Sequence, residues 1–225
     1  MRIPELLAPV GSMEHLKVAI NAGASSVYLS GKDYGARKFA QNFTLDEIND
    51  AVNIAHMHNV KVYVTVNTLI KEDELEDVIN YLSKLYAIGV DAVLVQDLGL
   101  VELINEHLPN LKIHASTQMT IENQLKLDYI ESKGIKRVVL PREMKKEEIQ
   151  SLKTNMELEI FAYFHYFLHF HLVKLLLDEN FLIFENLFLI FENLFLIDEN
   201  LFLSSEYFFE KKYFHDLLNF EELYL

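Results

Sequence analysis

Seven short apolar runs, each bounded by turn residues, set the strongest constraint on what this chain can fold into. They read ELLAPV from Glu5, SVYLS from Ser26, KVYVTVN from Lys61, AVLVQD from Ala92, KIHAS from Lys112, RVVL from Arg137 and LEIFAYF from Leu158. Several are rich in Val and Ile with little polar alternation. That is the pattern of strands covered on both faces, as in a parallel sheet. Helix-like stretches separate them. Thr44 and Glu47 have the spacing of a capping box, opening a helix with Ile48, Val52 and Ala55 on one face. Leu75, Val78, Ile79, Leu82 and Leu85 mark the apolar stripe of a second helix. Gly23, Gly89 and Gly134 each stand between a helical stretch and a strand, where a glycine in the left-handed conformation ends a helix.

Alternating strands and helices predict an α/β fold. No G-x-G-x-x-G follows the first strand, which argues against a dinucleotide-binding unit. A (β/α)8 TIM-like barrel fits better, but the pattern supplies seven strands of the eight that such a barrel needs. The expectation is therefore an incomplete barrel whose two free strand edges invite self-association.

Composition narrows the function classes. The 225 residues contain no cysteine, which excludes disulfides, thiolate zinc sites, cysteine-held iron–sulfur clusters and a cysteine nucleophile in this chain. No cofactor is expected. Lys and Arg total 20 against 34 Asp and Glu, a formal charge of −14 that weakens the case for a simple basic nucleic-acid clamp. The start, Met1-Arg2-Ile3-Pro4-Glu5, lacks a signal-peptide stretch, so a cytoplasmic location is expected.

The averages hide a break near residue 158. All seven glycines and all four prolines precede it, whereas fourteen of the sixteen phenylalanines lie in the last 65 residues. From Leu158 onward there are twelve acidic and three basic residues. The chain thus divides into a βα-repeat barrel domain, 1–157, and a low-complexity Phe/Leu-rich segment, 158–225. ENLFLIF from Glu185 is followed by ENLFLID from Glu192 and ENLFLSS from Glu199, a period of seven that is too apolar for a coiled coil. Three readings of this segment stay open: a shifted reading frame through an adenine/thymine-rich gene, an amphipathic segment, or a divergent helical cap. Glu at every seventh position argues against a membrane span. His165, His169 and His171 form H-x-x-x-H-x-H, in which a helix would put His165 and His169 on one face, but no third metal ligand lies near.

A barrel gathers its active site where strands end and βα loops begin. The strand ends here are polar: Asn67 and Thr68; Gln96 and Asp97; His114, Ser116, Thr117 and Gln118; Arg142 and Glu143. Together they would form a pocket with a cation, carboxylates, an imidazole and amides, suited to a small polar or anionic substrate. His114 is the candidate proton donor or acceptor, since its ordinary pKa lies near neutrality. Arg142 would hold a carboxylate or phosphate in its planar fork. Asp97 and Glu143 would orient partners or take protons, and Asn67 and Gln118 would hydrogen-bond substrate. Neither H-E-x-x-H nor G-x-S-x-G is present, and Ser116 lies only two residues from His114, so no serine triad is expected.

The segments PELLAPVGS (Pro4 to Ser12), GARKFAQNFT (Gly35 to Thr44), VYVTVNT (Val62 to Thr68), VQDLGL (Val95 to Leu100), HASTQM (His114 to Met119) and RVVLPRE (Arg137 to Glu143) resemble, in order and spacing, those of the peptidase U32 family. These are the collagenase-like proteases, and the resemblance covers roughly residues 3 to 161. It implies a barrel-like domain and a U32-type peptidase acting on a polypeptide. The family also includes oxygen-independent hydroxylation factors acting on tRNA, ribosomal RNA or a quinone precursor, some with a four-iron cluster held by cysteines. RNA therefore enters as a partner through the resemblance alone. The family continues into a His-Gly segment and paired cysteines that this chain lacks, so the peptidase is expected to be truncated or impaired, and an inactive remnant or interaction protein is the further alternative.

Overall fold

Each of the seven apolar runs forms a strand in the computed structural model, which describes residues 5–36, 42–164 and 168–173. The strands are β1 (Glu5–Pro9), β2 (Ser26–Ser30), β3 (Lys61–Val66), β4 (Ala92–Val95), β5 (Ile113–Ala115), β6 (Arg137–Val139) and β7 (Glu157–Phe164). They pair in chain order and all in parallel. Six helices connect them: α1 (Met13–Asn21), α2 (Leu45–Met57), α3 (Leu75–Ile88), α4 (Leu98–His107), α5 (Gln124–Ser132) and α6 (Lys146–Ser151).

The ring does not stay open. An eighth strand, β8 (Leu168–Val173), lies antiparallel between β7 and β1 and closes the barrel. Both edges expected to be free are therefore paired. The direction of β8 follows from chain length. Only residues 165–167 separate it from β7, and a parallel crossover needs a dozen or more. His169 and His171 belong to this strand rather than to a helix. His165 and the ENLFLIF repeats lie outside the described residues. Among the described residues no helix is long and apolar enough to cross a membrane.

Local signals explain the connections. The Thr44 hydroxyl accepts from Glu47 N at 3.2 Å, and the Glu47 carboxylate accepts from Thr44 N at 2.7 Å, completing the capping box of α2. Gly89 ends α3 at φ 94°, donating its N–H to Leu85 and Tyr86, and Gly23 and Gly134 also have positive φ. Ile48, Val52 and Ala55 of α2, with Val78, Leu82 and Leu85 of α3, are buried against the outer faces of the strands.

Period-two alternation sends the other strand face into the barrel. At the end where the strands begin, that interior is ionic. Arg137 of β6, 2% exposed, donates from Nη1 and Nη2 to the two Glu5 oxygens of β1 at 3.0 and 3.1 Å. Its Nε and Nη2 reach Glu157 of β7 at 3.0 and 2.6 Å. Tyr63 of β3 donates its hydroxyl to Glu5 at 2.6 Å and lies under the guanidinium, whose carbon is 5.1 Å from the ring centroid. Lys61 adds a bond to Glu5 at 2.9 Å. Because β1, β3 and β6 are not neighbours in the sheet, these contacts cross the barrel axis and fix its bore. Above them Leu7, Leu94 and Val139 form an apolar layer with Tyr28 and Phe161.

Burial alone would raise the Glu5 pKa, but the bonds and charge of Arg137, helped by Tyr63 and Lys61, hold it at about 2. The folded value lies below the unfolded one, so this stabilisation is complete above pH 4.5 and is lost as the pH falls toward 2. Glu5→Gln should lower stability in urea by about 3 kcal/mol at neutral pH, and its deficit should shrink across that acid interval. A deficit that does not change with pH would show that the Glu5 charge is not what Arg137 needs.

Candidate functional site

The strands of a parallel barrel all end on one face, and here that face opens into a cavity of about 350 Å³. Its floor is the apolar layer, with Tyr28, Leu94, Val139 and Phe161. Its walls carry Ser30, Thr65, Asn67, Ser116, Thr117, Gln118 and Arg142, with Ala36 and Asn42 from the β2–α2 loop. Arg142 is the one charged residue among these lining residues, in a chain of net charge −14. With no carboxylate among its described lining residues, the cavity is more favourable to anions than the acidic surface is.

Asn67 follows the last residue of β3. Its Oδ1 accepts from Ala36 N at 3.1 Å, and its Nδ2 donates to Ser116 Oγ at 3.3 Å. Ser116, buried at the end of β5, caps a single 3-10 turn (Thr117–Met119), and its hydroxyl donates to Gln118 Oε1 at 3.5 Å. Thr68 Oγ1 donates to Tyr34 O at 3.2 Å, a second tie between the end of β3 and the β2–α2 loop. Arg142 follows β6, and its guanidinium carbon stands 4.3 Å from the centroid of Phe161 on β7. A cation over a ring face is attracted by the ring quadrupole, which sets the height of the guanidinium over the cavity floor.

Of the six residues singled out from the sequence, the structure brings Asn67, Gln118 and Arg142 onto one wall. The other three lie elsewhere. His114 sits one inward position deeper on β5 than Ser116, beneath the cavity. Its ring meets Tyr63 edge-on at 4.7 Å, and its Nδ1 is buried with no hydrogen-bond partner among the described residues. Burial, reinforced by the Arg137 charge, holds its pKa well below the ordinary value, so the imidazole is neutral at pH 7. Asp97 is the N-cap of α4. One of its oxygens accepts from Leu100 N and the other from Ile70 N, both at 3.1 Å. Glu143 is exposed in the loop after β6. Ser116 bonds to Asn67 and Gln118 and not to His114, so no serine–histidine pair is assembled at this wall among the described residues. The aromatic floor, Tyr28 and Phe161, went unmarked in the sequence reading. An aromatic residue within a strand run reads as core packing until the cavity above it is seen.

A profile of Peptidase family U32 matches residues 11–171. The chain belongs to peptidase family U32. It is 36% identical over 162 residues to the tRNA hydroxylation protein P1 of Bacillus subtilis, covering 72% of this chain and 38% of that protein. It is 36% identical over 161 residues to the 23S rRNA 5-hydroxycytidine C2501 synthase of Escherichia coli, covering 72% of this chain and 24% of that protein. An uncharacterised protease of Methanocaldococcus jannaschii is 38% identical over 157 residues, 70% of this chain and 38% of that protein. The chain thus spans well under half the length of these relatives. Among solved structures, the U32 peptidase Mk0906 superposes with a TM-score of 0.60 at 16% identity, covering 89% of this chain and 81% of that one, which shows a shared fold. A cysteine-held iron cluster does not fit this U32 chain, because its 225 residues supply no thiolate.

Two expectations follow. Asp97→Ala should cost about 1–2 kcal/mol in thermal or urea unfolding through loss of the α4 cap, without altering ligand binding in the cavity. Because the folded pKa of His114 is depressed, its contribution is complete above the ordinary value of 6.5 and is lost as the pH falls below it. A His114→Phe variant should show a flatter urea midpoint between pH 7 and pH 5 than the unaltered chain, and equal slopes would refute the buried neutral imidazole.

Proposed function

We propose that this U32 barrel binds a small polar or anionic reactant in its mouth and serves an RNA-hydroxylating enzyme rather than a peptidase, in a cytoplasmic setting. The carrying observation is the state of Ser116. It is the hydroxyl on the cavity wall nearest to a histidine in sequence, yet it is engaged by two amides and no base bonds to it among the described residues. Peptide hydrolysis needs an activated nucleophile or an activated water, and the described wall offers neither a carboxylate nor an imidazole for that purpose. The two RNA-modifying relatives, at 36% identity, support the same reading.

In this reading Arg142 pairs with an anionic oxygen of the reactant through its planar fork. Phe161 fixes the guanidinium from below, and Tyr28 and the aliphatic floor take the apolar body. Gln118 hydrogen-bonds the bound group. Glu143, exposed on the same loop as Arg142, is given no part in the cavity in this reading. His114 acts from beneath the floor, shaping the bore with Tyr63. No step is assigned to a metal cluster in this chain.

The test is expression of the full chain in a bacterial strain stripped of its own RNA-hydroxylating relatives, followed by mass spectrometry of nucleosides from tRNA and ribosomal RNA. Restored hydroxylated nucleosides, reduced about tenfold or more in Arg142→Ala, are expected. Peptide cleavage by the purified chain that disappears in Ser116→Ala would overturn the proposal in favour of the peptidase reading.

A further inference from the structure

The hydrogen bonds on the cavity wall form a chain whose direction is set at one end. A backbone N–H cannot reverse its role, whereas an Asn or Gln amide can be turned over. The Ala36 N–H donates to Asn67 Oδ1 at 3.1 Å, so the oxygen of that amide faces the β2–α2 loop. Its Nδ2 must then face the other way, where it donates to Ser116 Oγ at 3.3 Å. The Ser116 hydroxyl has one hydrogen left to give. Ser116 is only 4% exposed, so water competes weakly for it, and the acceptor within reach is Gln118 Oε1 at 3.5 Å. The Gln118 oxygen is thereby occupied, and its two Nε2 hydrogens are what the exposed end of the chain presents. Gln118 and Arg142 both line the cavity, with no carboxylate among its described lining residues.

We propose that Asn67 and Ser116 are positioning residues that hold the Gln118 amide with its donors toward the cavity, so that the site selects a ligand oxygen that accepts hydrogen bonds and rejects an amine or amide nitrogen in its place. The inference rests on the reading of the mouth as a binding site and names what that site discriminates. It also changes the expected part of Asn67. One bond at each end of its side-chain amide is made to the protein, so it acts on a ligand through Ser116 and Gln118 beyond any contact of its own. The discrimination has a physical basis, since a ligand donor set against the Gln118 donors leaves both without an acceptor once the ligand covers them.

Benzoate and benzamide serve as probes, because they share a shape and differ in whether the second polar atom accepts or donates. With the full chain labelled with nitrogen-15, benzoate should shift the Gln118 side-chain N–H signals and bind about tenfold more tightly than benzamide. Ser116→Ala cuts the relay while leaving Arg142 in place, and should reduce that preference about three- to tenfold. Asn67→Asp, whose carboxylate draws the Ser116 hydrogen away from Gln118, should do the same. Benzoate binding with unmoved Gln118 signals, or an undiminished preference in both variants, overturns the relay. If benzoate does not bind at all, the reading of the cavity falls instead. Rotation of the Gln118 amide in the ligand-free protein then decides the relay: faster rotation in Ser116→Ala supports it, and equal rates overturn it.

Discussion

A guanidinium enclosed by the barrel is the interaction on which the rest of this structure depends. Arg137 is 2% exposed, and a cation in that position is tolerable only if carboxylates surround it. Glu5 and Glu157 supply them from β1 and β7, and Tyr63 supplies a ring face from β3. The arrangement has little tolerance for error, because each acid depends on the same cation. That mutual dependence specifies which strands face one another across the axis more sharply than an apolar plug would, since a shifted register would strand a charge without a partner.

With geometry fixed at one end, the opposite end is free to carry chemistry. The apolar layer of Leu7, Leu94 and Val139, with Tyr28 and Phe161, separates the two. Below it Arg137, Glu5, Glu157, Tyr63 and Lys61 bond to one another; above it Asn67, Gln118 and Arg142 line the cavity. This division explains why His114 and Ser116, two residues apart on β5, differ so much in surroundings. His114 packs against Tyr63 beneath the layer, while Ser116 joins the cavity wall. Had the two shared a storey, the hydroxyl and imidazole could have met.

Much of the fold was legible in the sequence because its signals are local. The apolar runs locate seven strands, and Thr44, Glu47, Gly89 and Gly134 mark helix ends whose geometry depends on near neighbours. The common mouth was legible as well, since parallel strands must end together, and Asn67, Gln118 and Arg142 meet there. What was not legible depends on depth and distance. A polar residue at a strand tip looks the same in sequence whether it faces the cavity, as Gln118 does, or caps a helix, as Asp97 does. Arg137 reads as the polar start of an apolar strand, and its partner Glu5 lies 132 residues away.

The eighth strand shows that a break in composition need not be a break in the fold. Phenylalanine enrichment and loss of glycine begin near residue 158, yet β7 runs across that point and β8 lies beyond it. The match to the U32 family likewise continues to residue 171, inside β8. Strand formation tolerates this change because it asks little of composition. Aromatic and β-branched residues suit a pleated surface, and backbone groups supply the pairing. The barrel supplies the rest, for β1 and β7 present unpaired edges on either side of one gap. A short connection then dictates an antiparallel return, so the last strand is defined more by the space waiting for it than by its own sequence.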